Sequence, residues 1–82
     1  MPATAAAEVT YDHVVEAMRR IEGGVVRTPC QQSAALSELC GATIFSKAEY
    51  LQRTGSFKER GARNALLQLP EAAVKRGVVA AW

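Results

Sequence analysis

The sequence predicts an α/β fold in which helices surround an incomplete, mostly parallel sheet. Segments with helical spacing alternate with short β-branched segments, and this alternation is typical of parallel sheets. The composition, 49% hydrophobic and 22% charged residues, is ordinary for a globular chain. A parallel sheet needs helices over both faces. The two or three strands predicted in these 82 residues are too few for such a sheet. We therefore expect the opening part of a larger domain.

The first element is a helix that begins after Thr10. Residues 1–9 are rich in alanine, and we expect a disordered N-terminus there. Thr10 can cap the helix, and Asp12 places a negative charge in its first turn, where the helix dipole favours it. Gly23 and Gly24 end the helix. Its predicted inner face is an apolar stripe with helical spacing: Tyr11, Val14, Val15, Met18 and Ile21.

The middle of the chain alternates between extended and helical segments. Residues 25–30 read as extended, and Ser33 is a suitable cap for a short helix over 34–40,. Gly41 ends that helix. Residues 43–47 are β-branched and aromatic, which predicts a strand.

The last third contains a polar loop over 49–55, a helix over 56–69 and a short helix over 71–76. The apolar residues of 77–81 predict a further buried strand. We expect the strands near 43–47 and 77–81 to run parallel across a right-handed helical crossover.

The start of helix 56–69 is the most informative segment. Ser56 and Glu59 have the spacing of a capping box, in which each side chain accepts from the other residue's backbone N–H. Lys58 would then occupy the second helical position. The positive end of the helix dipole disfavours a cation there, which favours the neutral amine that Schiff-base chemistry requires.

The residues around Lys58 resemble a known family. Residues 47–58 carry the pattern Lys-x-Glu-x-x-Gln-x-Thr-Gly-Ser-Phe-Lys, and 27–29, 36–42 and 75–81 fit the same family in order and spacing. The chain is similar, over roughly residues 10–81, to fold-type II enzymes that depend on pyridoxal phosphate (PLP). Within them it most resembles the threonine/serine dehydratase and serine racemase group.

The resemblance implies a tryptophan synthase beta-like fold and PLP as cofactor. Lys58 would hold PLP as a Schiff base and Phe57 would pack near its ring; no metal is expected. In the family, the strand matching 77–81 leads into a Ser-x-Gly-Asn-His-type loop, whereas this sequence ends at Trp82. We therefore expect residues 10–82 to be a partial PLP-dependent domain, truncated before that loop.

The function that the resemblance implies is deamination of L-threonine, or serine, by an ammonia-lyase. Threonine would give 2-oxobutyrate and ammonia. A serine racemase or a threonine synthase relative remains an alternative. An alternative of another class is a truncated, non-catalytic remnant or interaction fragment. The expected partner is a small amino-acid substrate, and full-length relatives are expected to be homo-oligomers.

Composition argues against other classes. The net charge of +2 and pI of about 8.8 are mild for a nucleic-acid-binding domain. A cluster of basic side chains is interrupted by Glu59, so a solvated helix face is favoured over a phosphate-binding one. It consists of Arg53, Lys58, Arg60 and Arg63. No apolar stretch approaches the roughly 20 residues of a membrane span.

Four further side chains and the N-terminus complete the predictions. Cys30 and Cys40 lack metal or redox spacing,, and we expect small buried thiols. His13 is expected at the surface, and Asn64 is expected to serve packing or helix solvation. The N-terminus lacks the features of a secretory signal, so a cytoplasmic chain with free thiols is predicted.

Overall fold

The computed structural model describes residues 8–81. Residues 1–7 of the predicted disordered N-terminus (1–9), and Trp82, lie outside this range. The elements are α1 (Tyr11–Ile21), β1 (Cys30–Gln32), α2 (Ala34–Cys40), β2 (Phe45–Lys47), a 3₁₀ turn (Glu49–Leu51), α3 (Lys58–Leu67) and α4 (Glu71–Arg76). The α/β class predicted from the sequence is confirmed.

The sheet of the described residues is a two-stranded antiparallel ribbon. β1 pairs with β2 in the register Cys30 to Lys47, Gln31 to Ser46 and Gln32 to Phe45. The direction follows from the connection, which folds back on itself. The Ser33 N–H donates to the Ile44 carbonyl (2.9 Å) and the Ile44 N–H to Ser37 Oγ (2.8 Å). These bonds bring the ends of the connection together and reverse the chain.

The predicted parallel pairing of 43–47 with 77–81 is not observed. Residues 78–81 belong to no helix or strand, and Val79 is 98% exposed. The segment predicted as extended over 25–30 contributes only its last residue, Cys30, to β1. Both strands of the ribbon are exposed along their whole length, so the sheet does not form a buried layer.

The predicted caps of α1 and α2 are confirmed. Thr10 Oγ1 accepts from the His13 N–H (3.2 Å), and His13 Nδ1 accepts from the Thr10 N–H (3.1 Å). His13 is exposed as expected, but it also completes this capping box. Ser33 Oγ accepts from the Leu36 N–H (3.2 Å). Gly41 ends α2 with φ +68°, a conformation that suits glycine.

The last two helices follow the prediction with one change of bounds. α4 occupies the predicted residues, between Pro70 and Gly77. α3 is shorter than the predicted 56–69 at both ends, since it begins at Lys58 and ends at Leu67. Phe57, just before it, already has helical backbone angles.

Little apolar surface is buried. α1 packs against α3, and Arg20 Nη1 donates to Asn64 Oδ1 (2.7 Å), so Asn64 serves the packing that was expected of it. Among residues 8–81, Ile21 is the buried apolar residue. Cys30 and Cys40 are exposed, so their predicted burial is wrong. The ribbon and α2 that carry them have no covering layer within the described residues.

No helix within residues 8–81 is long and apolar enough to cross a membrane.

Candidate functional site

The candidate site is centred on Lys58, the first residue of α3. Its predicted place in the first helical turn is confirmed, although it is the first position and not the second. The predicted capping box is wrong. Ser56 Oγ accepts from the Lys58 N–H (3.2 Å), and Glu59 Oε1 accepts from the Thr54 N–H (2.9 Å).

The cause is the backbone before the helix. A capping residue normally has extended angles, but Phe57, which precedes the helix, has φ −60° and ψ −19°. The chain therefore turns before the box can close. The loop is still pinned to the first turn of α3, because Ser56 and Glu59 each accept a backbone hydrogen bond across it.

Both residues predicted to meet the cofactor lie on the surface. Lys58 is exposed, and the neighbouring Phe57 is 67% exposed. Their roles toward a cofactor stay predictions, but their side chains stand next to each other in the chain on accessible surface.

Arg60, two residues after Lys58 in α3, joins a set of connected polar side chains, which we call the motif network. Its members are Thr28, Lys47, Glu49, Gln52 and Arg60. It joins the segment before β1 to the 3₁₀ turn and to α3.

Gln52 ties the network to the backbone of Val26. Its Oε1 accepts from the Val26 N–H (2.9 Å) and its Nε2 donates to the Val26 carbonyl (2.8 Å). The same Nε2 donates to Glu49 Oε2 (3.3 Å). Gln52 is only 3% exposed, so these partners satisfy a buried amide.

Glu49 is the centre of the network. Its carboxylate accepts from Arg60 through both Nε and Nη2, the latter at 3.2 Å, and from the Thr28 hydroxyl. The hydrogen bond from Arg60, followed by that from Thr28, lowers the pKa of Glu49 from 4.5 to about 2. The same pairing raises the pKa of Arg60. Both groups are therefore charged at neutral pH.

Two further donors bring the backbone into the network. Lys47 Nζ donates to the Thr28 carbonyl (2.6 Å), and Arg60 Nη2 donates to the Val26 carbonyl (3.4 Å). Three polar residues of the sequence motif therefore help to fix the segments next to α3, the helix that begins at Lys58. They are Lys47, Glu49 and Gln52.

The sequence reasoning did not identify this network. A usable signal was present, since Glu49 and Gln52 are three residues apart and side chains at that spacing face the same side of a helical turn. The partner segment 26–28 could not be found this way, because it lies more than twenty residues earlier in the chain.

A second close contact lies between Gly24 and α3. A Cβ placed on Gly24 would lie 1.8 Å from Arg63 Cζ, so the missing side chain makes room for the guanidinium. This glycine, predicted only to end α1, also admits Arg63 to the junction of α1 and α3.

Within residues 8–81, no group of three or more His, Cys, Asp and Glu side chains could hold a metal ion.

Sequence comparisons place the chain among known proteins. Residues 21–82, more than half of the chain, match the family described as pyridoxal-phosphate dependent enzyme. The chain is 52% identical over 71 residues to an L-threo-3-hydroxyaspartate ammonia-lyase of Pseudomonas sp, covering 87% of this chain and 22% of that protein.

Two other relatives show the same relationship. An L-threonine ammonia-lyase of Thermotoga maritima is 48% identical over 73 residues, covering 89% of this chain and 18% of that protein. A serine racemase of Dictyostelium discoideum is 44% identical over 73 residues, covering 89% of this chain and 22% of that protein. The chain thus spans about a fifth of the length of these relatives, and it belongs to the family of pyridoxal-phosphate-dependent enzymes.

Proposed function

We propose that this chain carries the cofactor lysine of a PLP-dependent ammonia-lyase that converts L-threonine, or serine, to a 2-oxo acid and ammonia. The observation that carries the proposal is the position of Lys58, an exposed residue in the first turn of α3 at the end of the family motif. Ammonia-lyases among its relatives support the reaction class.

The residues around Lys58 suit the cofactor chemically. The side chain of Lys58 ends in a primary amine, which can bond to an aldehyde carbon. Phe57 offers an exposed aromatic ring beside it, and flat rings pack favourably on one another. Lys58 and Phe57 therefore fit an aromatic aldehyde.

The roles of the chain's own residues follow from that fit. PLP, when bound, supplies an electron sink for the negative charge left on the substrate Cα. Lys58 Nζ would hold the cofactor until the substrate amine displaces it, and the released Nζ would take the Cα proton. Departure of the β-hydroxyl and hydrolysis then give 2-oxobutyrate and ammonia from threonine. Phe57 would hold the ring in place.

The proposal extends to the domain. Residues 10–82 would form part of a fold-type II domain with a mostly parallel sheet. Its Ser-x-Gly-Asn-His-type loop and phosphate-binding loop would lie outside these 82 residues. The whole enzyme would be a cytoplasmic homo-oligomer. The relatives, which are about five times longer than the matched segment, support the proposal that further parts of the domain lie outside these residues.

A serine racemase is the second candidate, favoured by the Dictyostelium relative. It would use Lys58 in the same way and return a proton to the opposite face of Cα. A threonine synthase relative or a non-catalytic interaction fragment would have the same motif network. The former would differ from the proposal in the reaction catalysed, and the latter would catalyse none.

A chimera tests the proposal. The 73 matched residues of the Thermotoga ammonia-lyase are replaced by those of this chain, and 2-oxobutyrate from threonine and D-serine from L-serine are measured. We expect 2-oxobutyrate formation that Lys58→Ala abolishes and Lys75→Ala leaves unchanged. Lys75 is a suitable control because it is an exposed lysine in α4.

Turnover that survives Lys58→Ala would contradict the assigned role of Lys58. D-serine as the main product would favour the racemase. A chimera that folds and binds PLP but forms neither product would favour the non-catalytic reading.

A further inference from the structure

We propose that Glu49 is a positioning residue for Lys58. By holding the Arg60 guanidinium, it fixes the rotation of the first turn of α3 and so directs the Lys58 amine away from the motif network toward a carbonyl cofactor. This inference rests on the proposed function of Lys58.

The geometry of a helix links the two side chains. Each residue of an α-helix turns by about 100°, so Lys58 and Arg60, two positions apart, point to nearly opposite sides. Arg60 is anchored by Glu49 and by the Val26 carbonyl. Anchoring Arg60 on the inner side therefore fixes Lys58 on the outer side, where it is exposed.

Glu49 is suited to this task because it collects donors from three segments. They come from Thr28 before β1, from Gln52 after the 3₁₀ turn and from Arg60 in α3. The side chain of Glu49 is only 15% exposed, so few water molecules compete for its oxygens.

An amide of the same shape cannot replace the carboxylate. A glutamine offers one acceptor oxygen, and its NH₂ group would face one of the donors. Glu49→Gln therefore keeps the size of the side chain but breaks the two-point contact with Arg60. A two-point contact between a carboxylate and a guanidinium fixes the orientation of the arginine side chain as well as its position.

A purely structural role makes a different prediction. If Glu49 only stabilised the fold, its loss would change the reactivity of all three lysines alike. If it positions Lys58, the loss changes Lys58 selectively. Lys75 serves as the internal reference, because it lies in α4, outside the motif network, 3.6 Å from Glu71.

The experiment measures where PLP attaches to the 82-residue chain. The chain is incubated with PLP, the adducts are reduced with borohydride, and peptide mass spectrometry gives the ratio of pyridoxyl-Lys58 to pyridoxyl-Lys75. We expect Lys58 to dominate in the wild type. Glu49→Gln should lower the ratio by about threefold or more, because a small displacement of a reacting group has large kinetic effects.

Three variants make the result specific. Glu38→Gln, the same change at an exposed position of α2, should leave the ratio unchanged. Arg60→Gln should lower it as Glu49→Gln does, and the double variant should lower it no further, because the two residues act through one contact. Thr28→Val, which keeps the Arg60 contact, should lower it less. Arg60→Gln provides the test if Glu49→Gln unfolds, provided that circular dichroism shows intact helix content.

The outcomes separate the two proposals. A wild type without preference for Lys58 would overturn the role of Lys58 itself. A wild-type preference that persists in a folded Glu49→Gln chain, or in a folded Arg60→Gln chain if Glu49→Gln unfolds, would overturn only the positioning role. Additive losses in the double variant would also overturn it.

Discussion

Two regions of this molecule are held in different ways. Around Lys58, the most buried residues are polar, with Thr28 at 4% and Gln52 at 3% exposure. On the other surfaces, large apolar side chains are exposed, among them Leu39 and Val79. In most folded proteins the pattern is the reverse. The comparison indicates that directional polar contacts of the motif network hold the segments around α3, the helix that begins at Lys58.

The difference matters for the role that we propose for Lys58. Apolar burial is non-directional and leaves the rotation of a helix loosely defined when few apolar groups are buried. A carboxylate–guanidinium contact and a bidentate amide define distance and angle together. The motif network can therefore orient α3 even though Ile21 is the only buried apolar residue that residues 8–81 provide.

The largest effect is expected from breaking the buried amide. Gln52→Ala leaves the Val26 N–H without its partner, and it leaves the Val26 carbonyl with Arg60 Nη2 as its remaining donor. A buried group left unpaired costs about 1–3 kcal/mol, and we expect a loss of about 2 kcal/mol in the free energy of unfolding. Urea titration followed by circular dichroism measures it.

The matched control is Gln68→Ala. Gln68 is an exposed glutamine whose Nε2 donates to the Asn64 carbonyl (2.9 Å), and surface changes of this kind cost less than about 0.5 kcal/mol. Equal losses in the two variants would show that the hydrogen bonds of Gln52 contribute no more to the free energy of unfolding than the hydrogen bond of an exposed glutamine.

A second test uses acid. Because the pKa of Glu49 is lowered from 4.5 to about 2, its contribution to stability is complete above about pH 4.5 and is lost as the pH falls toward 2. We expect the wild type to lose stability across this window and Glu49→Gln to lose less. Circular dichroism from pH 5 downward, in steps of about half a unit, follows the change.

Glu38→Gln is the control for the acid test, since it removes an exposed carboxyl. It should keep the acid response of the wild type. If Glu49→Gln and the wild type respond identically, the pairing of Glu49 with Arg60 does not stabilise the fold.

A third, smaller effect compares two glycines outside the network. Gly41→Ala should destabilise the chain by about 1 kcal/mol, because φ is +68° there and a Cβ disfavours that conformation. Gly61→Ala should stabilise it by up to about 1 kcal/mol, since this glycine lies inside α3 with open space around it,. Thermal unfolding of both variants is the measurement, and shifts of the same sign would be unexpected.

The smallest effect is expected in turnover. The 82-residue chain with added PLP should form 2-oxobutyrate from threonine at almost the same rate in the wild type and in Lys58→Ala. Positioning supplies on the order of 7–11 kcal/mol of an enzyme's barrier reduction, and Lys58 and Phe57 are the two described residues that we propose to contact the cofactor. Robust activity that disappears in Lys58→Ala would mean that copies of this chain assemble a complete pocket.

The sequence predicted the local elements better than their pairing. Thr10, Ser33 and Gly41 fixed the ends of α1 and α2, because capping depends on neighbouring residues alone. The β1–β2 ribbon was missed because Cys30–Gln32 is short and polar, without the alternation that marks a strand. The parallel sheet was expected from the order of elements, which says nothing about whether 77–81 finds a neighbour.

At the candidate site, too, the local features could be predicted from the sequence and the long-range contacts could not. The position of Lys58 in the first turn of α3 followed from the local sequence. The motif network did not, because its contacts join residues 26–28 to residues 47–60. A pattern of spacing identifies polar residues on one side of a turn but cannot identify the segment that they meet.

Hydrogen exchange tests the central contrast most directly. The Val26 N–H donates to the buried Gln52 Oε1, whereas Val79 is 98% exposed and belongs to no helix or strand. Amide exchange followed by NMR should therefore show protection at Val26 and near-intrinsic exchange at Val79, with the protection at Val26 lost in Gln52→Ala. Equal exchange at Val26 and Val79 in the wild type would contradict the claim that the polar contacts of the motif network hold the segments around α3 in place.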